Sequence, residues 1–450
     1  MRGLARLVLR IWFRAVEVCG DERIPLGRPL VLVANHVNGL IDPLLLMAPL
    51  PVRARFLAKS TLWKIPLLRP FLRLAGSIPV YRPQDKEDTS RNAETFARAS
   101  EVLAERGAIA LFPEGKSHSQ PGLQPLRTGA ARIVLEAERK HPDLSVRIVP
   151  VGLLFDAKET FRSRVLVQVG EPIDPAPEIA MQERDPVAAV RALTARIDLG
   201  LQEVTLNYET WEDARLIARA ADLYRRRAPE LPGRGRLSEG FLYRRAFLEG
   251  YQKLRERHPE RVAAAAEVVR EYDRLLRAFG LRDDQVAAAY PPSPVLRFVV
   301  QTLLLLLLYL PIAVVGTVLN YPVYRIVGPL VRRLTRDPDQ VATLKVIGAL
   351  ILFPLAWIAE GWLAGRLFGN KFGGWIGAAV ALAAPFTGYG ALLFHDRRTI
   401  FWREARAYLI LRSRRRLAAE LKARREAVLR QVEELEDLYS RSAALPDAND

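Results

Sequence analysis

Cysteine is almost absent from this sequence: Cys19 is the only one in 450 residues. A single cysteine excludes an intrachain disulfide and any metal site built on a cysteine cluster. Histidine is also scarce, and its five copies stand at His36, His118, His141, His258 and His395. Their positions show no regular metal-ligand spacing. The sequence therefore predicts no metal site.

The N-terminus lacks the uninterrupted apolar core of a secretory signal peptide. Arg2, Arg6, Arg10 and Arg14 recur at every fourth position through the apolar stretch, which a signal peptide would not contain. On a helix these arginines form one basic stripe, and apolar side chains cover much of the remaining surface. We therefore expect residues 1–24 to form an amphipathic helix in the lipid headgroup region. An ordinary surface helix of a globular domain is the alternative.

Residues 1–290 have the composition of a charged globular protein, and most of the long uncharged stretches lie between residues 298 and 394. The formal net charge of +17 favours an anionic partner, either nucleic acid or a phospholipid surface. The apolar stretches make the phospholipid surface the better choice, so we expect no nucleic-acid partner.

Residues 298–394 are predicted to form a transmembrane region. Residues 298–324 and 372–394 carry no charge, and each is long enough to cross a bilayer, which needs ~20 residues. Residues 346–365 form a third candidate, interrupted by Glu360. For this third segment a buried core helix is the alternative.

The orientation of these segments is less simple to predict. The globular part, the loop around Arg332 and the tail after Arg397 are all basic, and the positive-inside rule places all three in the cytoplasm. Three full crossings cannot do that. A re-entrant path for residues 298–324, which contain Pro311 and Pro322, would remove the conflict. A plain span is the alternative.

Strands alternate with helices in residues 25–180. Short apolar runs near residues 29–34, 52–58, 76–80, 108–112, 146–154 and 165–170 read as strands, with helical stretches at 89–106 and 128–140. This alternation predicts an α/β domain with a mainly parallel sheet.

The remaining segments read as helices. Residues 186–290 form long charged helices, which we expect to be an all-helical appendage, and residues 399–440 read as one long helix. Leu421, Val428 and Leu435 repeat at a spacing of seven within it. This repeat allows a short coiled coil and self-association, while a solvated helix with ion pairs is the alternative.

The end of the first predicted strand carries residues that suit proton abstraction from a hydroxyl. His36 follows the first strand, and Asp42 stands six positions further on. Neutral imidazole is suited to take a proton from a hydroxyl, and a carboxylate on the other ring nitrogen fixes its tautomer. Asp42 before Pro43 also resembles a helix start, so a helix cap is the alternative role for Asp42.

A second strand end offers groups that suit a phosphate. The run from Phe112 to His118 contains Pro113, Glu114 and Gly115, followed by Lys116 and Ser117. Gly115 lets the backbone approach a ligand, and Lys116, Ser117 and His118 supply donors. Arg82 ends another strand and is a further candidate. A solvated turn and a surface arginine are the alternatives.

Taken together, these residues resemble the glycerolipid acyltransferase superfamily, whose members acylate glycerol phosphate and lysophospholipids. Four blocks match in the family's order, and they are residues 36–42, 76–82, 112–115 and 148–152. Five residues separate His36 from Asp42 where four are common, and Ser117 stands where an arginine is common. These departures resemble the fungal-type glycerol-3-phosphate/dihydroxyacetone-phosphate acyltransferase branch.

The resemblance implies a catalytic base, His36, oriented by Asp42. It implies a substrate-binding set made of Asn38, Arg82, Glu114, Gly115, Lys116, Ser117 and His118. The acyl donor would be acyl-CoA or acyl carrier protein, and the acceptor glycerol 3-phosphate or a lysophospholipid, with no other cofactor. A non-enzymatic membrane protein that binds lipid or scaffolds partners is the rival; it accounts for the charge but not for the four blocks.

Overall fold

A computed structural model describes residues 2–65, 68–82, 85, 87–158, 160–226, 236–288, 292–334, 338–368 and 372–444. The chain forms two units. The first comprises Met1–Glu209 with Asp337–Thr343, and the second comprises Thr210–Arg336 with Leu344–Asp450. The helices of the first unit are α1 (Arg2–Trp12), α2 (Ile41–Met47), α3 (Arg69–Leu74), α4 (Asn92–Ala104), α5 (Gly129–Lys140), α6 (Ala176–Gln182) and α7 (Pro186–Val204).

The first unit is built on a sheet of seven strands in the described residues. They are β1 (Ala15–Cys19), β2 (Leu30–Ala34), β3 (Ala54–Lys59), β4 (Ile78–Val80), β5 (Ala108–Leu111), β6 (Arg147–Phe155) and β7 (Arg164–Val169). Their order is β1-β7-β6-β2-β5-β3-β4. Only the β6–β7 pair is antiparallel, so the predicted α/β fold with a mainly parallel sheet is confirmed.

Helices cover the central strands. Every residue of β2 and of β5 is buried, as expected for parallel strands with helices on both faces. A core cluster joins these strands to α4, α5 and α7. On β6, a side chain at Gly152 would collide with the carbonyl oxygen of Val204. Gly152 therefore lets the end of α7 lie directly against the sheet.

The N-terminal segment differs from the predicted helix over residues 1–24. The helix α1 ends at Trp12, and β1 follows as an edge strand paired with β7. The alternating valines of β1 suit a pleated strand better than a helix. Arg2 and Arg6 do not form a free basic stripe, because they donate to backbone carbonyls at Met47 and Ala48, at 3.0 and 3.3 Å.

The boundary between the two units lies later than the predicted start of the helical appendage at residue 186. One face of α7 is buried in the core of the first unit, through Ala189, Leu193, Ile197 and Leu201. The fourfold spacing of these residues places them on one side of a helix. The helix α7 is therefore part of the sheet domain.

The second unit consists of helices. They are α8 (Trp211–Arg225), α9 (Leu237–Arg257), α10 (Pro259–Phe279), α11 (Asp283–Ala287), α12 (Pro292–Leu334), α13 (Pro338–Leu367), α14 (Gly373–Ser413) and α15 (Arg415–Ala444). Among the described residues, three helical segments are long and apolar enough to cross a membrane: Arg297–Arg333, Leu344–Leu367 and Gly373–Ser413.

Two predicted segments take different forms. The helix α12 is continuous through Pro311 and Pro322, so the chain does not turn back there and the re-entrant alternative is wrong. The predicted helix over residues 399–440 is interrupted at Arg414, because α14 runs on from the third apolar segment to Ser413. Leu421 and Val428 are buried against α8 and α10 of the same chain. Self-association through this helix stays a prediction.

A buried ion pair links three helices of the second unit. The carboxylate of Asp283 on α11 accepts from Arg425 Nε on α15 at 2.9 Å and from the hydroxyl of Tyr272 on α10 at 3.0 Å. The guanidinium of Arg425 also donates to the carbonyl of Arg226 at 2.6 Å. Burial raises the pKa of the Asp283 carboxyl and of the Tyr272 hydroxyl.

The helices α12 and α14 pack antiparallel along their length. Phe298 stacks near Phe401 with ring centroids 6.4 Å apart, and further along Asn320 Nδ2 donates to the carbonyl of Ala384 at 3.1 Å. A side chain at Gly316 would collide with the carbonyl of Thr387, so this glycine permits the close approach. Trp357 of α13 donates to Asn320 Oδ1 at 2.9 Å.

Candidate active site

The carboxyl ends of β2 and β5 bring two of the sequence blocks together. Val33 and Leu111 are register partners in these neighbouring parallel strands. The residues that follow them therefore meet at one edge of the sheet. The imidazole of His36 stacks on the ring of Phe112 with centroids 4.1 Å apart. The two strand ends that carry the candidate residues therefore lie side by side in the structure.

His36 and Asp42 form a hydrogen-bonded pair. Nδ1 of His36 lies 2.9 Å from Oδ2 of Asp42, whose side chain is fully buried while the imidazole remains 17% exposed. Because the carboxylate accepts at Nδ1, that nitrogen carries the proton and Nε2 is left as a base. The pair therefore has the arrangement of a general base and the carboxylate that orients it.

Asp42 does not act as a helix cap. The helix α2 begins at Ile41, with Leu40 at the cap position. Oδ2 of Asp42 accepts from the backbone N–H groups of Val37 and Asn38, at 2.8 and 2.7 Å. Burial raises the pKa of the Asp42 carboxyl, while the hydrogen bonds from His36 and the two backbone amides act to lower that pKa.

Glu114 and His118 hold the backbone of His36. Oε1 of Glu114 accepts from the His36 N–H at 2.6 Å, and the His118 N–H donates to the His36 carbonyl at 3.1 Å. Oε2 of Glu114 binds His118 Nε2 and the Gln124 N–H. Glu114 is only 3% and His118 only 6% exposed. Both side chains are thus directed into the protein, whereas the resemblance of the sequence places them in the substrate-binding set.

Gly115 is surrounded by arginines from two other segments. Its φ of +75° is in the left-handed region, which favours glycine. Arg82 Nη1 donates to the Gly115 carbonyl at 2.5 Å, and Arg82 Nε pairs with Asp85 at 2.8 Å. A Cβ at Gly115 would lie 3.1 Å from Nε of Arg127. An exposed guanidinium therefore lies beside this loop although Ser117 occupies the usual arginine position.

The other predicted binding residues divide into exposed and buried groups. Lys116 is exposed and Ser117 half-buried, so both are accessible to a ligand. Asn38 is 1% exposed, and its Nδ2 donates to the carbonyl of Lys158 at 3.3 Å. Asn38 therefore joins the loop that carries His36 to the segment after β6.

Three supporting residues were not predicted from the sequence. Asn35 pairs with both backbone groups of Leu153 at 3.1 and 2.7 Å. Lys158 Nζ donates to the carbonyls of Val37 and His118, at 3.2 and 3.3 Å. Arg127 is the third. No local motif marks them, because each acts across a long separation in sequence. Among the described residues no group of three or more His, Cys, Asp or Glu could hold a metal ion.

Two family models match this chain. A family model described as Acyltransferase matches residues 15–154, so the first unit contains an acyltransferase domain. A second model, the glycerol-3-phosphate acyltransferase 2 C-terminal domain, matches residues 216–440, which is half of the chain. The chain belongs to the family that this second model describes. The resemblance to the fungal-type branch is thereby confirmed.

Relatives with known names are similar over parts of their length. Glycerol-3-phosphate O-acyltransferase 2 of Saccharomyces cerevisiae is 29% identical over 283 residues, covering 59% of this chain and 37% of that protein. Glycerol-3-phosphate O-acyltransferase 1 of the same yeast is 32% identical over 198 residues, covering 43% of this chain and 25% of that protein. This chain thus matches well under half the length of either relative.

One solved structure is also similar. It is the 1-acyl-sn-glycerophosphate acyltransferase from Thermotoga maritima, with a TM-score of 0.34 and 21% identity, and the match covers 45% of this chain and 76% of that one.

Proposed function

We propose that this chain is a membrane-bound O-acyltransferase. It moves an acyl chain from a thioester donor to a hydroxyl of glycerol 3-phosphate or a related phosphate-bearing acceptor, in phospholipid synthesis. The observation that carries the proposal is the His36–Asp42 pair, with its imidazole partly exposed beside the Gly115 loop. Two relatives are named glycerol-3-phosphate O-acyltransferases, which supports this acceptor.

In the proposed reaction, Nε2 of His36 takes the proton from the acceptor hydroxyl. The oxygen attacks the thioester carbonyl, the carbon–sulfur bond breaks, and the proton on His36 passes to the leaving thiolate. Asp42 stabilises the imidazolium that exists between these two proton transfers. Glu114 and His118 hold the His36 backbone, so that the base keeps its position relative to the acceptor.

The acceptor phosphate is proposed to lie beside Gly115. Arg82, Lys116 and Ser117 are near this loop in the sequence blocks or in space, and Arg127 supplies the guanidinium that residue 117 lacks. Arginine suits a phosphate because its planar fork forms two parallel hydrogen bonds. Asn38, Glu114 and His118 are proposed to hold the backbone around His36 and not to contact the phosphate.

The donor and location complete the proposal. Acyl-CoA or acyl carrier protein supplies the acyl chain, and no further cofactor takes part. The apolar helices hold the chain in a phospholipid membrane as an integral protein, with the first unit in the cytoplasm as the positive-inside rule favours.

Acyl transfer by purified protein in lipid vesicles tests this function. Labelled acyl-CoA and acylated carrier protein are offered with glycerol 3-phosphate, with lysophosphatidate and with a lysophospholipid. We expect transfer to a phosphate-bearing acceptor, and a loss of ~10²-fold or more in His36→Ala. His141→Ala, which removes an exposed histidine at the end of α5, is the matched control. Full activity in His36→Ala contradicts the mechanism, and no transfer to any acceptor favours a lipid-binding role.

A further inference from the structure

The segment between β3 and β4 exposes apolar side chains that no described residue of its own unit covers. It consists of a 3₁₀ helix, Ser60–Lys64, followed by α3. No residue of α3 is buried. Ile65 is 43%, Phe71 39% and Leu74 74% exposed. Three large apolar side chains in one short segment are unusual for a surface that contacts only water.

The same segment lines a basic cleft. The cleft has a volume of about 880 Å³, and its walls include Arg69 and Arg73 from α3 and Arg98 from α4. These three guanidinium groups are exposed and have no ion pair within the described part of the chain. In contrast, Lys64 at the rim is paired with Glu87 at 2.7 Å. Glu94 and Glu101 also line the cleft, but basic residues outnumber acidic ones in its wall. The cleft therefore presents net positive charge beside exposed apolar groups.

We propose that this segment, residues 60–65 and 68–77, docks the first unit onto an anionic lipid surface. Lipid phosphates bind the three arginines of the cleft, while Ile65, Phe71 and Leu74 enter the boundary between headgroups and acyl chains. Basic residues beside apolar ones are the composition of an interfacial anchor. A soluble nucleotide would account for the arginines but would leave Leu74 in water.

The cleft lies next to the candidate active site. Its wall includes Tyr81, and the next residue, Arg82, donates to the Gly115 carbonyl. The docked segment therefore adjoins the candidate active site. Resting on the proposed function, this contact brings the site to the headgroup plane, where an acylated product leaves into the leaflet. Arg2 and Arg6 of α1, by contrast, donate to backbone carbonyls.

Depth-dependent quenching in nanodiscs tests the docking. In a Cys19→Ser background, Leu74→Cys is labelled with an environment-sensitive fluorophore, and the full chain is placed in discs of phosphatidylcholine with anionic lipid. Nitroxide-labelled lipid is the quencher. Leu199→Cys on α7 is the matched control, because Leu199 is 60% exposed and lies outside the segment. We expect strong quenching at position 74 and little at position 199.

The arginines are tested in the same discs. Arg69→Gln with Arg73→Gln should reduce quenching at position 74, as should added salt, since each basic residue changes binding to an anionic surface about fivefold. Arg139→Gln with Arg191→Gln removes equal charge from the exposed surfaces of α5 and α7 and should change nothing. This readout needs no acyl transfer, so it separates the docking from the proposed activity.

Two results would overturn the proposal. In the first, the label at position 74 is quenched no more than the label at position 199. In the second, the arginine variant keeps full quenching but raises KM for acyl-CoA and not for the matching acyl-pantetheine. That outcome would assign the cleft to the nucleotide of the donor.

Discussion

The two oxygens of Asp42 have different surroundings. Oδ2 accepts from His36 and from two backbone amides, whereas Oδ1 is buried with no hydrogen-bond partner among the described residues. The cost of burying this charge raises the pKa of the carboxyl. The folded chain therefore retains the Asp42 proton over a pH window, from about 3.8 upward, in which the unfolded chain has lost it.

This window predicts opposite effects of Asp42→Asn on stability and activity. The contribution of Asp42 to stability is present at low pH and is lost as the pH rises through the window. As the pH rises through this window, the free energy of unfolding of the wild type should fall relative to that of Asp42→Asn. The total fall should be ~1.4 kcal/mol for each pH unit between the Asp42 pKa in the unfolded chain and that in the folded chain. Acyl transfer should fall by ~10²-fold or more in the variant. Chemical unfolding at several pH values measures the first effect, and a constant difference between the two proteins would contradict it.

Glu114 and Arg127 should give different kinetic signatures. Glu114→Gln weakens the hold on the His36 backbone, so we expect a lower kcat with KM for the acceptor nearly unchanged. Arg127→Gln removes a proposed phosphate partner and should raise that KM by ~10-fold or more. Steady-state kinetics against acceptor concentration separates them. A change confined to KM in Glu114→Gln would mean that Glu114 touches the acceptor.

The convergence of His36 with Glu114 could be predicted, because both follow neighbouring buried strands. The direction of Glu114 could not, because a sequence does not tell whether a side chain after a strand turns toward the solvent or toward the backbone of another loop. The roles of Lys158 and Arg127 could not be predicted for a related reason. Their roles arise from contacts across many residues, and single basic side chains are common on any surface.

At the scale of elements, apolar periodicity located the central strands, but it misplaced the ends of the domain. Every residue of the edge strand β1 is exposed or half-buried. Its apolar alternation in the sequence is therefore weak, and the predicted helix over residues 1–24 included it. The helix α7 is charged on its outer side, which resembles the helices after it. Only its burial in the core of the sheet domain separates it from them.

The ion pair of Asp283 with Arg425 should matter more to stability than a surface pair nearby. Arg425→Met leaves the buried carboxylate without its guanidinium and should cost ~3–5 kcal/mol in the free energy of unfolding. Arg424→Met breaks a 2.7 Å pair with Glu271 that is about 40% exposed on both sides, so it should cost under ~1 kcal/mol. Chemical unfolding of both variants tests this, and equal losses would contradict it.

At the scale of the molecule, the helices on either side of the apolar segments share one core. Tyr272 and Leu276 precede the first segment, Leu421 and Val428 follow the third, and all four are buried in one cluster. At the same end, Gln285 Nε2 donates to Glu404 at 3.1 Å. The entry to α12 and the exit from α14 therefore lie side by side.

Thiol accessibility in sealed vesicles tests the shared side. Glu256→Cys on α9 and Lys422→Cys on α15 place single exposed thiols before and after the apolar segments, in a Cys19→Ser background. We expect an impermeant maleimide to label both from the same face of the membrane. Labelling from opposite faces would contradict the shared core.

An antiparallel pair that crosses a bilayer returns the chain to the side it left, so α12 and α14 already account for an even number of passages. If α12 and α14 cross as such a pair, α13 between them must begin and end on one side of the bilayer. Glu360 on α13 then need not cross the hydrocarbon centre, where a carboxylate is costly. Among the three candidate spans of the described residues, we therefore expect α12 and α14 to be the pair that crosses the bilayer.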